Sequence, residues 1–290
     1  MPEQLKFTVP IEYDNANALR FFKEYCGLSS RMITRLKREK DGILMDGKIL
    51  RTVDSVSVGK TVFVNMPMES SQIIPVKGAL DIVYEDEHLL IVNKPPSMPV
   101  HPVKQHQEDT LANIVSYYMN SKGENYVFRA HNRLDKDTSG IVIIAKNRYC
   151  ANALKNGVEK TYYALCHGKI EKGGIVRAPI GLREESKMVR FILEDGPPAI
   201  THYELIKSND KVSFVKLRLE TGKTHQIRCH MSSLGHPLIG DDLYGGSIEL
   251  IKRQTLHCGK VKLIHPISGN IITVECEMPS DMKNILKRLK

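Results

Sequence analysis

The chain has 290 residues, 41% of them hydrophobic and 26% charged, which is enough apolar material for a packed core and enough length for two domains. Its formal net charge of +9 favours a polyanionic partner. The six cysteines are scattered without a C-x-x-C pair, the N-terminus is mixed polar and charged, and no stretch approaches the ~20 apolar residues that cross a bilayer; a disulfide framework, a zinc site, a signal peptide and a membrane helix are not expected, and a reduced, soluble, cytoplasmic protein is.

Residues 14 to 25, DNANALRFFKEY, place Ala18, Phe21, Phe22 and Tyr25 at helical spacing, and Gly27 stops the helix. Ser29 and Ser30 are candidate N-caps for a second helix over 31 to 40. On it Met32, Ile33 and Leu36 face a core, while Arg31, Arg35, Lys37, Arg38 and Lys40 project outward. Such a run is often only a solvated face. Here Glu39 alone offsets it, and the cations are dense enough to coat a phosphate backbone. Short strands follow at 43 to 45, at 48 to 51 beyond an Asp46-Gly47 turn, and at 61 to 65.

The run ESSQIIPVKG, polar at its start and broken by a proline, reads as a linker. It divides the chain into a domain at 1-68, a linker at 69-79 and a domain at 80-290. In the larger domain, strands are expected at 82 to 84, 89 to 93, 141 to 145, 160 to 167, 201 to 207, 212 to 220 and 271 to 277. Helices are expected at 110 to 119, 149 to 156, 224 to 234 and 280 to 289. Few clean βαβ repeats occur, so the class is α+β with a mixed, mostly antiparallel sheet.

The segment HNRLDKDTSG at 131 to 140 carries the most information. Asp135 lies between Arg133 and the turn-forming Asp137-Thr138-Ser139-Gly140, and the apolar run Ile141-Val142-Ile143-Ile144 follows at once. A carboxylate beside a buried strand needs a cationic partner or a reaction to justify it. An isolated R-x-D would more simply be a surface ion pair at a turn, with Thr138 and Ser139 as local caps. Three further segments stand out beside it. DIVYEDEHLLIVNKPPSMPVHP at 81 to 102 carries Lys94, Pro95, His101 and Pro102. EKTYYALCHG at 159 to 168 carries Tyr162 and Tyr163, and ETGKTHQIRCHMSSLGHPLIGDDLYG spans 220 to 245.

Together the four segments resemble the RluA-type pseudouridine synthases, with their R-L-D-x-x-T-S-G, K-x-Y-x-A and T-H-Q-I-R patterns. The family most often has histidine before the arginine of the first pattern, where this chain has Asn132. The resemblance covers roughly residues 80 to 290 and implies the pseudouridine-synthase fold, a long sheet with a central cleft. It implies Asp135 as the catalytic aspartate, Arg228 as its ion-pair partner, Tyr162 as a catalytic residue whose ring can stack on the base and whose hydroxyl can act in proton transfer, and Ile227 beneath that base. Arg133, His101 and Thr138 become substrate-binding candidates. The two-helix-plus-hairpin unit at the N-terminus, with Arg31, Ile33 and Leu36 ahead of the glycine turn, resembles a small S4-like α/β RNA-binding module, although its first helix lacks the usual Arg-Leu-Asp start.

The activity so implied is isomerisation of uridine to pseudouridine in structured RNA. Large-subunit (23S) ribosomal RNA is the expected substrate and transfer RNA the alternative. No cofactor is expected, because the rearrangement is redox-neutral and no phosphate-binding glycine loop is present. A monomer without membrane association is expected. On a helix His225 and His230 stand five apart, and no H-E-x-x-H pattern occurs, so a metal site is not expected. A metal-dependent hydrolase and a non-catalytic RNA-binding protein are the rival readings. Within the larger domain, Thr224 is a candidate cap for the helix that carries Ile227 and Arg228.

Overall fold

The computed structural model describes residues 4–66, 71–123, 126–155, 157–184, 186 and 188–288. It divides into two compact units, Met1–Gln72 with Gly123–Val127, and Ile73–Lys122 with Phe128–Lys290. Of the expected boundaries, residues 1–3, 67–70, Asn156 and Leu289 lie outside the described residues.

In the first unit, β1 (Gln4–Thr8) precedes α1 (Ala18–Glu24) and α2 (Ser30–Leu36), followed by β2 (Ile43–Met45), β3 (Lys48–Ile49) and β4 (Thr61–Asn65). Among the described residues the strands form one antiparallel sheet in the order β1-β4-β2-β3. Asn17 caps α1 by accepting from the Leu19 N–H, and Ser29 caps α2 by accepting from the Met32 N–H. Phe21, Phe22, Met32, Ile33 and Leu36 are buried as their spacing requires. Helix α2 is shorter than expected. It ends at Leu36, and the backbone of Gly42 lies so close to the Leu36 carbonyl that a Cβ there would stand 2.0 Å from its oxygen. Lys37, Arg38 and Lys40 therefore follow the helix in turns, exposed, while Arg31 and Arg35 remain on it, Arg35 half-buried.

The second unit contains β5 (Ile82–Glu85), β6 (Leu89–Lys94), α3 (Leu111–Ser121), β7 (Ser139–Ala145), α4 (Arg148–Ala153) and β8 (Val158–His167). Then come β9 (Gly174–Arg177), β10 (Ile180–Leu182), β11 (Arg190–Ile192), β12 (Ile200–Ser208), β13 (Val212–Leu219), α5 (Gln226–Ser233), β14 (Leu256–Ile264), β15 (Ile271–Glu275) and α6 (Ser280–Lys287). Among the described residues, nine strands form one sheet in the order β5-β6-β7-β14-β8-β13-β12-β9, with β15 paired to β14. The unit is α+β, and its sheet is antiparallel except where β7 meets β14. Residues 74 to 76, expected in the linker, are tied to α3, since Asn113 Nδ2 donates to the Ile74 carbonyl at 2.8 Å and the Val76 N–H donates to the Asn113 carbonyl at 3.1 Å.

Strand β7 is buried along its whole length, as its β-branched run requires. The strand beside it, β14, was absent from the expected elements although it lies at the centre of the sheet. Its register with β8 shifts between Cys258 and Lys260, so the inward side chains change from Leu256 and Cys258 to Val261 and Leu263. A bulge at Gly259 breaks the period-two pattern that would mark a strand. Strands β1, β9, β10 and β11 were likewise absent from the expected elements.

Candidate active site

The loop bearing Asp135 is fixed to the sheet at several points. Asn132 is buried, and its side chain donates to the Ile141 carbonyl and accepts from the Ile143 N–H, each at 2.9 Å. Gly140 has φ +113°, and the Cys258 carbonyl oxygen lies 2.3 Å from where a Cβ would stand. Only glycine lets β7 lie this close to β14. Lys94, fully buried at the end of β6, donates to the carbonyls of Pro95, Met98 and Lys136 at 2.7, 2.8 and 3.0 Å. Burial pulls its pKa down to about 7, while three carbonyl acceptors require all three ammonium protons. Lys94 thus ties the 95–98 loop to the backbone next to Asp135.

Arg228 arrives from α5 and is buried. Its Nε and Nη2 donate to both oxygens of Asp241 at 2.7 Å each, and its Nη1 donates to Asp135 Oδ2 at 3.2 Å. Burial disfavours the guanidinium charge. The hydrogen bonds and charge of Asp241, then those of Asp135, outweigh it and raise the Arg228 pKa above its ordinary value. The turn leading into α5 is organised by Gln226. Its Oε1 accepts from the Lys223 N–H and the Thr221 hydroxyl, and its Nε2 donates to the Ile200 carbonyl, all at 2.9 Å. The expectation that Thr224 caps this helix is not met: His225 occupies the N-cap, at φ 56°, without a side-chain cap bond.

These elements enclose a cleft lined by Arg133, Leu134, Asp135, Thr138, Tyr162, Leu219, Lys223, His225, Gln226, Ile227, Arg228 and Leu256. Of the expected site residues, Asp135, Tyr162, Arg228, Arg133, Ile227 and Thr138 are brought together there. Thr138 is buried and accepts from Gln254 Nε2 at 3.3 Å, while Arg133 is exposed at the rim. His101 does not line this cleft. It packs edge-on against Phe128 with ring centroids 5.1 Å apart. The five cations at 31, 35, 37, 38 and 40 belong to the first unit.

Tyr162 is almost fully buried, while its neighbour Tyr163 stacks on Phe214 on the other face of β8. Burial, then the charge and hydrogen bond of Cys258, push the Tyr162 phenol well above its usual range. The ring is a neutral apolar wall. The carboxylate of Asp135 faces it from the loop before β7, its side chain 28% exposed.

Three functional neighbours escaped the sequence reading. Asp241 lay within a quoted segment, but nothing distinguished it from Asp242; the structure buries the first and exposes the second. Tyr244, in the following turn, accepts from the Arg190 N–H at 2.8 Å and places its hydroxyl 3.0 Å from His225 Nδ1. His225, weighed only as a metal ligand, stands 3.7 Å from Asp135 Oδ2. His230 instead bonds Thr201 and the Ala178 carbonyl, and His236 bonds the His167 carbonyl.

The chain is similar to known proteins over most of its length. The sequence pattern of the family described as RNA pseudouridylate synthase matches residues 88–233. The uncharacterized RNA pseudouridine synthase YhcT of Bacillus subtilis is 43% identical over 241 residues, 80% of each chain. The ribosomal large subunit pseudouridine synthase D of Zymomonas mobilis is 39% identical over 230 residues, 72% of this chain and 73% of the relative. Human RNA Pseudouridylate Synthase Domain Containing 4 has the same fold, with a TM-score of 0.58 at 24% identity over 72% of this chain and 92% of its own.

Proposed function

The chain belongs to the RNA pseudouridylate synthase family and is an isomerase, an RNA pseudouridine synthase; from that premise we propose that it modifies uridine in large-subunit ribosomal RNA with Asp135 as the reacting group. The observation that carries the assignment is the contact of Asp135 with Arg228 at 3.2 Å in a cleft walled by Tyr162 and Ile227. A stacked base hides its glycosidic bond, so the target uridine is extruded into this cleft. Arg228 holds the carboxylate aimed through its Nη1 hydrogen bond. The carboxylate acts on the ribose, by attack at C1′ or removal of the 2′ hydrogen, and the C1′–N1 bond breaks. The uracil stays between the Tyr162 ring and Ile227, turns, and rejoins through C5 as the carboxylate leaves C1′ or returns the proton it took to C2′. The C5 proton then leaves and N1 gains one, so the nucleotide is isomerised without a cofactor.

Arg133, at the rim, is suited to fill the space that the flipped base vacates, and Thr138 holds the turn after Asp135. The N-terminal unit, by its two helices, hairpin and exposed Arg31, Lys37, Arg38 and Lys40, acts as an S4-like RNA-binding module. The ribosomal target is supported by relatives named ribosomal large subunit pseudouridine synthase D. Tritium release from RNA carrying 5-tritiated uridine tests the chemistry: the protein is expected to release it, and the absence of release from total cellular RNA would overturn the proposal. Mapping pseudouridines in ribosomal and transfer RNA from a strain lacking the protein tests the target. Loss confined to transfer RNA would refute the ribosomal assignment.

A further inference from the structure

His225 takes a left-handed backbone conformation at the start of α5, a region that residues with side chains rarely adopt and that gathers at functional sites. Its side chain is 12% exposed. Nδ1 lies 3.0 Å from the Tyr244 hydroxyl, and that same hydroxyl oxygen accepts from the Arg190 backbone N–H at 2.8 Å. The Tyr244 ring is held edge-on to His225, with centroids 5.7 Å apart, and lies beneath the Arg228 guanidinium at 5.0 Å. A phenol has one proton to give. Arg190 presents a donor, so the acceptor within reach is His225 Nδ1. The arrangement that uses every proton has Tyr244 donating to Nδ1, which leaves the imidazole N–H on Nε2.

Nε2 points at Asp135 Oδ2, 3.7 Å away, the same oxygen that Arg228 Nη1 holds at 3.2 Å. At 3.7 Å the contact is too long for a hydrogen bond, and a movement of about 0.8 Å would close it. Both donors address Oδ2, and among the described residues Oδ1 has no hydrogen-bond partner. We infer that His225 is a positioning residue: with its tautomer fixed by Tyr244, it joins Arg228 in anchoring Oδ2 and so assigns Oδ1 as the oxygen that meets the nucleotide. This inference rests on the reading of Asp135 as the reacting group. Burial first favours the neutral imidazole this role requires, with Arg228 and Arg190 acting in the same sense and Asp135 and Asp241 opposing.

The test is the single-turnover rate of tritium release from 5-tritiated cellular RNA at saturating enzyme, measured for Tyr244→Phe, His225→Leu and His225→Gln beside Asp135→Asn. Tyr244→Phe and His225→Leu are expected to slow the step about ten- to a hundredfold with RNA binding unchanged, and His225→Gln, which keeps an N–H near the Nε2 position, to recover most of the loss. The nitrogen-15 spectrum of the native protein is expected to show His225 protonated on Nε2, and Tyr244→Phe to mix the tautomers. Native rates in Tyr244→Phe and His225→Leu, equal losses in the glutamine and leucine variants, or an Nδ1-protonated His225 would each overturn the inference while leaving Asp135 in place. An active Asp135→Asn would instead remove the reading on which the inference rests.

Discussion

Asp241 and Asp135 share one guanidinium in opposite circumstances. Asp241 is 1% exposed and binds Nε and Nη2 of Arg228 at 2.7 Å each, whereas Asp135, its side chain 28% exposed, receives Nη1 alone at 3.2 Å. The first pairing has the bidentate geometry that repays desolvation of two charges. The second is incomplete, which suits the reaction proposed above, because an oxygen that is to reach a ribose cannot be saturated by the protein. One carboxylate aims the arginine, and the arginine aims the other carboxylate.

The sharpest separation of the two is expected from replacing each in turn. Asp135→Asn should cost about a thousandfold or more in turnover, with RNA affinity kept within about tenfold because phosphate contacts supply most of it. Its thermal midpoint should stay near the native value. Asp241→Asn should do the reverse in kind, lowering unfolding stability by about 3 kcal/mol as the buried Arg228 loses its principal partner. Urea titration of the two variants checks this, and equal stability losses would erase the distinction. Arg228→Lys keeps the charge but cannot hold both carboxylates in a fixed fork, so a drop of about a hundredfold in turnover is expected, with a smaller change in RNA binding.

Tyr162→Phe should change turnover by no more than about tenfold, because a phenol held neutral by burial serves as a wall for base stacking. A far larger loss would give the hydroxyl a part in moving the C5 proton. Smallest is the effect of Arg35→Glu with Arg38→Glu, which should weaken RNA binding and flatten its dependence on log salt by about 1.5 to 2 units, with the bound chemistry untouched. A double variant that binds natively would reduce these residues to a solvated surface.

The strand after Asp135 was legible because it is encoded locally. Asp135 is followed by a glycine and a β-branched run, and those residues fold into the buried strand that the pattern announces. Arg228 and Tyr162 were legible through resemblance alone, since nothing in their spacing says that chain segments 93 residues apart will meet. Asn132 departs from the family's usual histidine, and its amide suits its position, bracketing β7 through two backbone bonds. The central strand β14 was hidden by the bulge at Gly259, and the cations beyond Leu36 were misplaced because the close approach of Gly42 is a tertiary fact. Asp241, Tyr244 and His225 were obscured for a related reason. Their value lies in side-chain partners 13 and 19 residues along the chain, brought together by the turns after α5, which a linear pattern does not display.

In the proposed reaction Asp135 faces the nucleotide with Arg228 behind it. A crystal structure of the protein bound to an RNA whose target uridine is trapped in the cleft addresses that placement without recourse to variants. The ribose C1′ or its 2′ carbon is expected within about 3.5 Å of Asp135 Oδ1, with Oδ2 still on Arg228. A nucleotide seated with its ribose turned away from Asp135, or a carboxylate released from Arg228 when RNA is bound, would contradict the account.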